Sequence, residues 1–227
     1  MAAYTFSALF LAHVLADYVL QTGWIVANKR RASAMALHMS LVFGAMCLTT
    51  LTFSPWFIGL TIAHLWIDTV KTYAMPEGLV AYILDQALHV ISVVSVALLA
   101  PEIWSYSPLA EIPNVPLYFM IAGGVLFAVR GGQYAVAMLL PEPGSPGGVL
   151  IGWLERTAIC ILLIGGSPFW VGTVLGAKAL QLGLTLNGRD KAGRRRLVYG
   201  SAISLAWGFA VAVPLALVMP MMSAPAP

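Results

Sequence analysis

All four histidines of the 227-residue chain, and three of its four aspartates, stand at helical spacings inside otherwise apolar sequence. His13, Asp17 and Gln21 follow one another at intervals of four and so share one helix face. His64 and Asp68 repeat that spacing, with Lys71 in the next turn, and Asp85 and His89 repeat it in reverse order. Imidazole nitrogens together with carboxylate oxygens suit zinc, manganese or iron. Helices that turn carboxylates and histidines inward are also how bundles hold paired metal ions. The candidate metal ligands are therefore His13, Asp17, His38, His64, Asp68, Asp85 and His89, with Asp17, Asp68 and Asp85 also the candidate catalytic carboxylates. Two other occupants fit the same residue types. One is a metal-free network of His–Asp hydrogen bonds serving proton relay or structure. The other is a haem on two histidines, with the aspartates orienting ring nitrogens.

The spacing recurs on a larger scale. Ala12-His13 with Asp17 returns as Ala63-His64 with Asp68, and Ala36-Leu37-His38 returns as Ala87-Leu88-His89, both at an offset of 51. Within each copy the two histidines are 25 residues apart. This predicts two related helical hairpins, over 4–50 and 55–101, related by a pseudo-two-fold axis along the membrane normal. The symmetry is incomplete, because Ala34 stands where the second copy has Asp85. Each histidine falls about 11 helical residues from its turn, or roughly 16 Å, which is close to a bilayer midplane.

The elements that carry these residues are expected to be membrane spans. The chain is 60% hydrophobic and 9% charged, against roughly 25% charged in a soluble domain. Crossing a bilayer takes about 20 mostly apolar residues. Such stretches predict about eight spans, at 4–27, 33–52, 56–73, 79–100, 117–140, 149–166, 168–186 and 197–219, in a single all-α polytopic bundle. The 117–219 helices form its C-terminal part. The first run, which contains His13 and Asp17, reads as a retained span, not a cleaved leader. Breaks fall at 28–31, at Pro76-Glu77-Gly78 and at Pro141-Glu142-Pro143-Gly144; the weakest, between Gly165 and Pro168, leaves seven spans as the alternative.

Lys29-Arg30-Arg31 and the run from Arg189 to Arg196 predict cytoplasmic loops. Segment 101–116 carries Glu102 and Glu111 and no Lys or Arg, which places it and both termini outside. Trp24, Trp56, Trp104, Trp153 and Trp170 lie near span ends, as an interfacial belt would. The net charge of +3 is a topology signal, and no nucleic-acid partner is expected. Cys47 and Cys160 sit in apolar runs with no disulfide expected. In the second half, Glu155 and Arg156 read as snorkelling side chains near the cytoplasmic face, and Arg130 as a deeper group able to pair with Glu155. The 189–196 run has a second reading, contact with anionic lipid headgroups.

These motifs resemble an uncharacterised bacterial membrane family, the domain-of-unknown-function family numbered 3307. The resemblance rests on AHVLADYVLQ (12–21), Lys29-Arg30-Arg31, His38, AHLWIDTVK (63–71) and DQALH (85–89), and extends to GGVLIGWLER (147–156) and the Lys178 region. It departs at Gln181-Leu182 and at Arg195-Arg196, where an arginine and an acidic–aromatic pair are expected. The family brings no established activity; the resemblance implies a bacterial inner-membrane location and leaves the function open.

Three functional classes follow. The first is a metal-dependent membrane hydrolase of a lipid or a membrane-buried substrate. The second is a transporter of metal ions or protons. The third is a non-catalytic or haem-binding subunit of a membrane-protein partner. An enzyme needs access from one side and a transporter from both.

Overall fold

A computed structural model describes residues 1–140 and 146–223. The break expected at 141–144 lies outside the described residues. Those described form helices and turns, with no strand among them. The chain divides into two compact units, Met1–Gly123 together with the end from Pro220, and Gly124–Met219.

In the first unit α1 (Ala2–Leu15) continues as a π turn, Ala16–Leu20. After it come α2 (Gly23–Ala27), α3 (Ala32–Thr50), α4 (Pro55–Ala74) and α5 (Leu79–Leu99). The first helix is apolar all round because it is surrounded. It packs against α3, α5 and the turns that follow α5, and Ala8, Leu9, Ala12 and Val14 have no exposed surface. The expected first span of 4–27 is cut short at Leu20. Gln21 takes an extended backbone, and Thr22 caps α2 by accepting from the Ile25 N–H at 3.4 Å. At the next hairpin Pro55 opens α4 behind a Ser54 cap, where the missing proline N–H costs nothing. Gly78, at φ 142°, makes the turn into α5 that a Cβ would strain.

Segment 101–116 is not a plain loop. It forms two 3₁₀ turns, Pro101–Tyr106 and Pro108–Glu111, the first of which folds over the start of α1. Thr5 Oγ1 donates to the Pro101 carbonyl at 2.8 Å and accepts from the Trp104 N–H at 3.2 Å. Trp104 is only 2% exposed and meets Phe119 edge-on at 6.2 Å. It is thus a packing residue, while Trp24, Trp56 and Trp170 are exposed as a belt requires.

The helix over Val115–Leu139 comprises α6 (Val115–Leu126), a second π turn at Phe127–Gly131, and α7 (Gly132–Leu139). In the second unit α8 (Pro146–Ile164) and α9 (Pro168–Leu186) are separate helices, parted at Gly166, whose φ is 70°. The last helix, α10 (Lys191–Ser223), starts at Lys191 and not at 197, so the basic run forms its first turns.

Among the described residues, seven helices are long and apolar enough to cross a membrane, and they fit a lipid bilayer. The expected third span, α4, has the length at 20 residues but is not among the seven. His64, Asp68 and Lys71 dilute its apolar character. Those polar groups point inward: His64 is 3% exposed and Asp68 1%, while Ile62 and Trp66 on the outer face are 61% and 70% exposed. The fifth helix is built the same way, with Asp85 and His89 buried and Ile91 and Leu98 exposed. A polar interior under an apolar exterior inverts the pattern of a soluble bundle.

Candidate metal centre

Four helices each bring one histidine to a single point inside the first unit. The π turn after α1 displaces Asp17 from the regular 3.6-residue register, and π turns recur at functional sites. The ring centroids of His64 and His89 are 4.0 Å apart, those of His13 and His89 5.1 Å, His38 and His64 5.1 Å, and His13 and His64 5.8 Å. All four rings are buried.

The tightest group comprises His38, His64, Asp17 and Asp68. The two Nε2 atoms are 3.2 Å apart. Asp17 Oδ1 lies 3.4 Å from His38 Nε2 and 3.3 Å from His64 Nε2. Asp68 Oδ2 lies 3.2 Å and 3.8 Å from the same two nitrogens. Gln21 Nε2 also approaches His38 Nε2, at 3.1 Å. One ring nitrogen carries either one hydrogen or one lone pair, so His38 Nε2 cannot serve all four neighbours. Four ligands at ~2.0–2.1 Å around a tetrahedral ion stand about 3.3–3.4 Å from one another. Four of the five distances lie close to those edges, and His38, His64 and Asp68 form a group that could hold a metal ion. Two overlapping sets, His13–Asp17–His64 and Asp68–Asp85–His89, also bring one ligand atom each to within 4.8 Å of one another.

The carboxylates are held from behind. Lys29 donates to Asp68 Oδ1 at 2.8 Å and Lys71 to Asp85 Oδ2 at 2.6 Å. Asp68 Oδ2 and Asp85 Oδ1, the other oxygen of each, are buried without a hydrogen-bond partner, as are Asp17 Oδ1 and His89 Nε2. Orphaned buried polar atoms are rare, and several in one place need a reason. His89 Nδ1 sits 2.8 Å from the Asp85 carbonyl, so it carries the proton and leaves the Nε2 lone pair inward, as a ligand requires. Three carboxylates against two ammonium groups leave a negative balance with neutral imidazoles. Burial works against the charge of Lys29, but Asp68 and Asp17 outweigh it and hold its pKa above the ordinary lysine value.

Four residues around the centre were not singled out from sequence as site groups. Lys29 reads there as a topology charge. Tyr18, Tyr82 and Gln86 form a chain, with the two hydroxyls 2.6 Å apart, Tyr18 donating to Gln86 Oε1 at 2.7 Å, and Gln86 donating to Asp85 Oδ2 at 2.9 Å. Only the adjacency of Gln86 to Asp85 offers a signal.

The second unit has its own buried charges. Glu155 does not pair with Arg130. It meets Lys178 at 3.1 Å, whereas Arg130 lies over the Trp153 ring at 5.7 Å. Arg156 is no snorkelling side chain, being 2% exposed. It donates to Ser204 Oγ and, at 3.0 Å, to the Val129 carbonyl.

No curated protein and no solved structure matches the chain. A family match does exist, and it spans the whole His/Asp arrangement while ending short of 147–156 and Lys178. Residues 5–111 match the model of the family described as "Protein of unknown function (DUF3307)".

Proposed function

We propose that this protein is a polytopic membrane enzyme that uses a divalent ion, held by His38, His64, Asp17 and Asp68, to hydrolyse a lipid or another membrane-buried substrate. The observation that carries the reading is the convergence of two imidazole nitrogens and two carboxylate oxygens, four of whose mutual distances, 3.2–3.4 Å, lie close to the edges of a coordination tetrahedron. Zinc is the ion that two imidazoles and two carboxylates at this spacing favour. A metal-free network would satisfy its members, and the orphaned Asp85 Oδ1 and His89 Nε2 speak against one. Haem needs axial nitrogens on opposite faces of a macrocycle, and His38 and His64 are too close to admit one.

Access favours an enzyme over a transporter. Toward the 101–106 turn the bundle is closed by Leu9, Phe57, Ile103 and Trp104, all buried. Toward the 21–31 and 75–78 turns the lining is polar, and Lys29 and Lys71 keep side-chain exposures of 18% and 31%. A bound ion would lower the pKa of a water toward ~7. Asp85, oriented by Lys71 and Gln86 with Oδ1 unpartnered, would be the carboxylate that accepts a proton there. The Asp68–Asp85–His89 set favours a second reading within the first, in which these residues would hold a second ion that adds Lewis-acid chemistry. We place α4 in the membrane as an eighth span, and read α1/α3 and α4/α5 as copies of one ancestral hairpin in a bacterial inner-membrane protein.

Elemental analysis of protein purified without chelator tests the proposal. One first-row metal ion per chain is expected, or two under the second reading. His64→Ala and Asp68→Ala should abolish retention, and Lys191→Ala should not. Metal-free protein that binds no zinc, manganese or iron on reconstitution would remove the centre. Metal-loaded protein that cleaves no lipid or membrane-peptide ester or amide would remove the hydrolase.

A further inference from the structure

A cleft of about 630 Å³ opens in the second unit among α7, α8, α9 and the first turns of α10. That is the size of a site for a small molecule or a headgroup. Four cations line it, Arg156, Lys178, Arg189 and Arg196, against one carboxylate, Glu155. Two of these cations are buried, Arg156 at 2% and Lys178 at 7% exposure. Burying a guanidinium inside membrane-spanning helices is costly and marks a functional site by default. The burial is built into the sequence, because a Cβ on Gly132 would fall 2.6 Å from Arg156 Cδ and one on Gly152 3.0 Å from a terminal nitrogen.

The polar atoms specify the ligand. Arg156 uses its terminal nitrogens on Ser204 and Val129 and keeps Nε unpartnered. Lys178 spends one donor on Glu155 Oε1. Glu155 Oε2 and Gln181 Oε1, both buried, lack a donor. Cationic donors beside two waiting acceptors fit an anion that itself carries a hydroxyl or amine. The remaining wall, with Val136, Leu140, Ile151 and Leu197, is apolar. We infer that this cleft binds a phosphate ester of a hydroxyl- or amine-bearing alcohol, Arg156 and Lys178 taking the phosphate and Glu155 and Gln181 the alcohol. Guanidinium groups suit this because their planar fork matches phosphate oxygens. The apolar wall, with Arg189 and Arg196 at the rim, favours a glycerophospholipid over a soluble phosphate ester.

The full chain in neutral detergent, equilibrated with phosphatidylglycerol or phosphatidylcholine and then washed, tests the inference by bound phosphorus. Phosphatidylglycerol should be retained at least about tenfold more than phosphatidylcholine, whose alcohol has no donor, the factor expected of one charge-assisted hydrogen bond. Arg156→Gln and Lys178→Gln should each reduce retention by a similar factor, and Lys191→Ala should leave it unchanged. Arg189→Gln, at an exposed rim position, provides the same test if a buried variant fails to fold. Displacement by glycerol 3-phosphate at equal concentration would support the phosphate-ester site and assign a soluble source. Failure of glycerol 3-phosphate to displace would assign the lipid. Equal retention of the two lipids, or undiminished retention in folded Lys178→Gln and Arg189→Gln, would overturn the site.

Discussion

Lys29 and Asp68 join the loop after the first span to the middle of α4 through one 2.8 Å contact, and that contact leaves Asp68 Oδ2 facing the histidines. The lysine thus sets which carboxylate oxygen turns inward. Removing such a partner of a metal ligand typically costs 10–100-fold in affinity. Lys29→Met should therefore weaken zinc binding by about that factor, measured by competition with a chromophoric chelator. Arg30→Met, whose guanidinium lies over Tyr73 at 5.8 Å and away from the carboxylates, should leave affinity unchanged.

The 101–106 turn makes a second prediction. Trp104 is buried and its backbone N–H is fixed by Thr5. Replacing a buried aromatic by Ala costs about 3–5 kcal/mol through lost contacts and the cavity left behind. Trp104→Ala should lower the thermal unfolding midpoint in detergent well below that of Trp170→Ala, whose ring is 56% exposed. Equal midpoints would mean that the turn does not seal the bundle.

The histidine–aspartate constellation was legible because rare polar residues at intervals of four cannot face lipid and must share an interior. What surrounds it was not. Lys29 sits in a loop, and nothing in its spacing points to Asp68, 39 residues later. Tyr18 and Tyr82 meet only because a π turn and a tertiary contact bring two spans together. Trp104 resembles a belt residue by position, yet the 3₁₀ turns fold it inward. Glu155 reads from sequence as a partner for Arg130, and its pairing with Lys178 instead depends on how α8 packs against α9.

Orientation is a third prediction, argued from charge alone. Lys29-Arg30-Arg31 and the 189–196 run are expected in the cytoplasm. In a background lacking Cys47 and Cys160, Arg30→Cys should label only from the cytoplasmic face and Tyr106→Cys, at a 71% exposed position, only from outside. Labelling of Arg30→Cys from outside would reverse the protein and place the polar mouth of the metal centre on the other side.

The last prediction concerns two glycines that differ only in what surrounds them. Gly132 stands where a methyl group would fall 2.6 Å from Arg156 Cδ and Nε and 2.9 Å from Trp207. Neither neighbour yields easily. Arg156 is anchored on Ser204 and the Val129 carbonyl, and Trp207 Nε1 donates to the Phe127 carbonyl at 3.0 Å. Inserting a methyl into such a packed site costs about 1–3 kcal/mol. Gly172, in α9, has no atom within 4 Å of the equivalent position. Alanine there should stabilise by about 0.5–1 kcal/mol, because glycine loses more backbone freedom on entering a helix. The two substitutions should therefore shift the unfolding midpoint in opposite directions. Gly132→Ala should also lower phosphatidylglycerol retention, since it displaces Arg156 from the position in which it lines the cleft. If Gly132→Ala were as stable as the native chain and retained the lipid fully, Arg156 would not be held where its role requires.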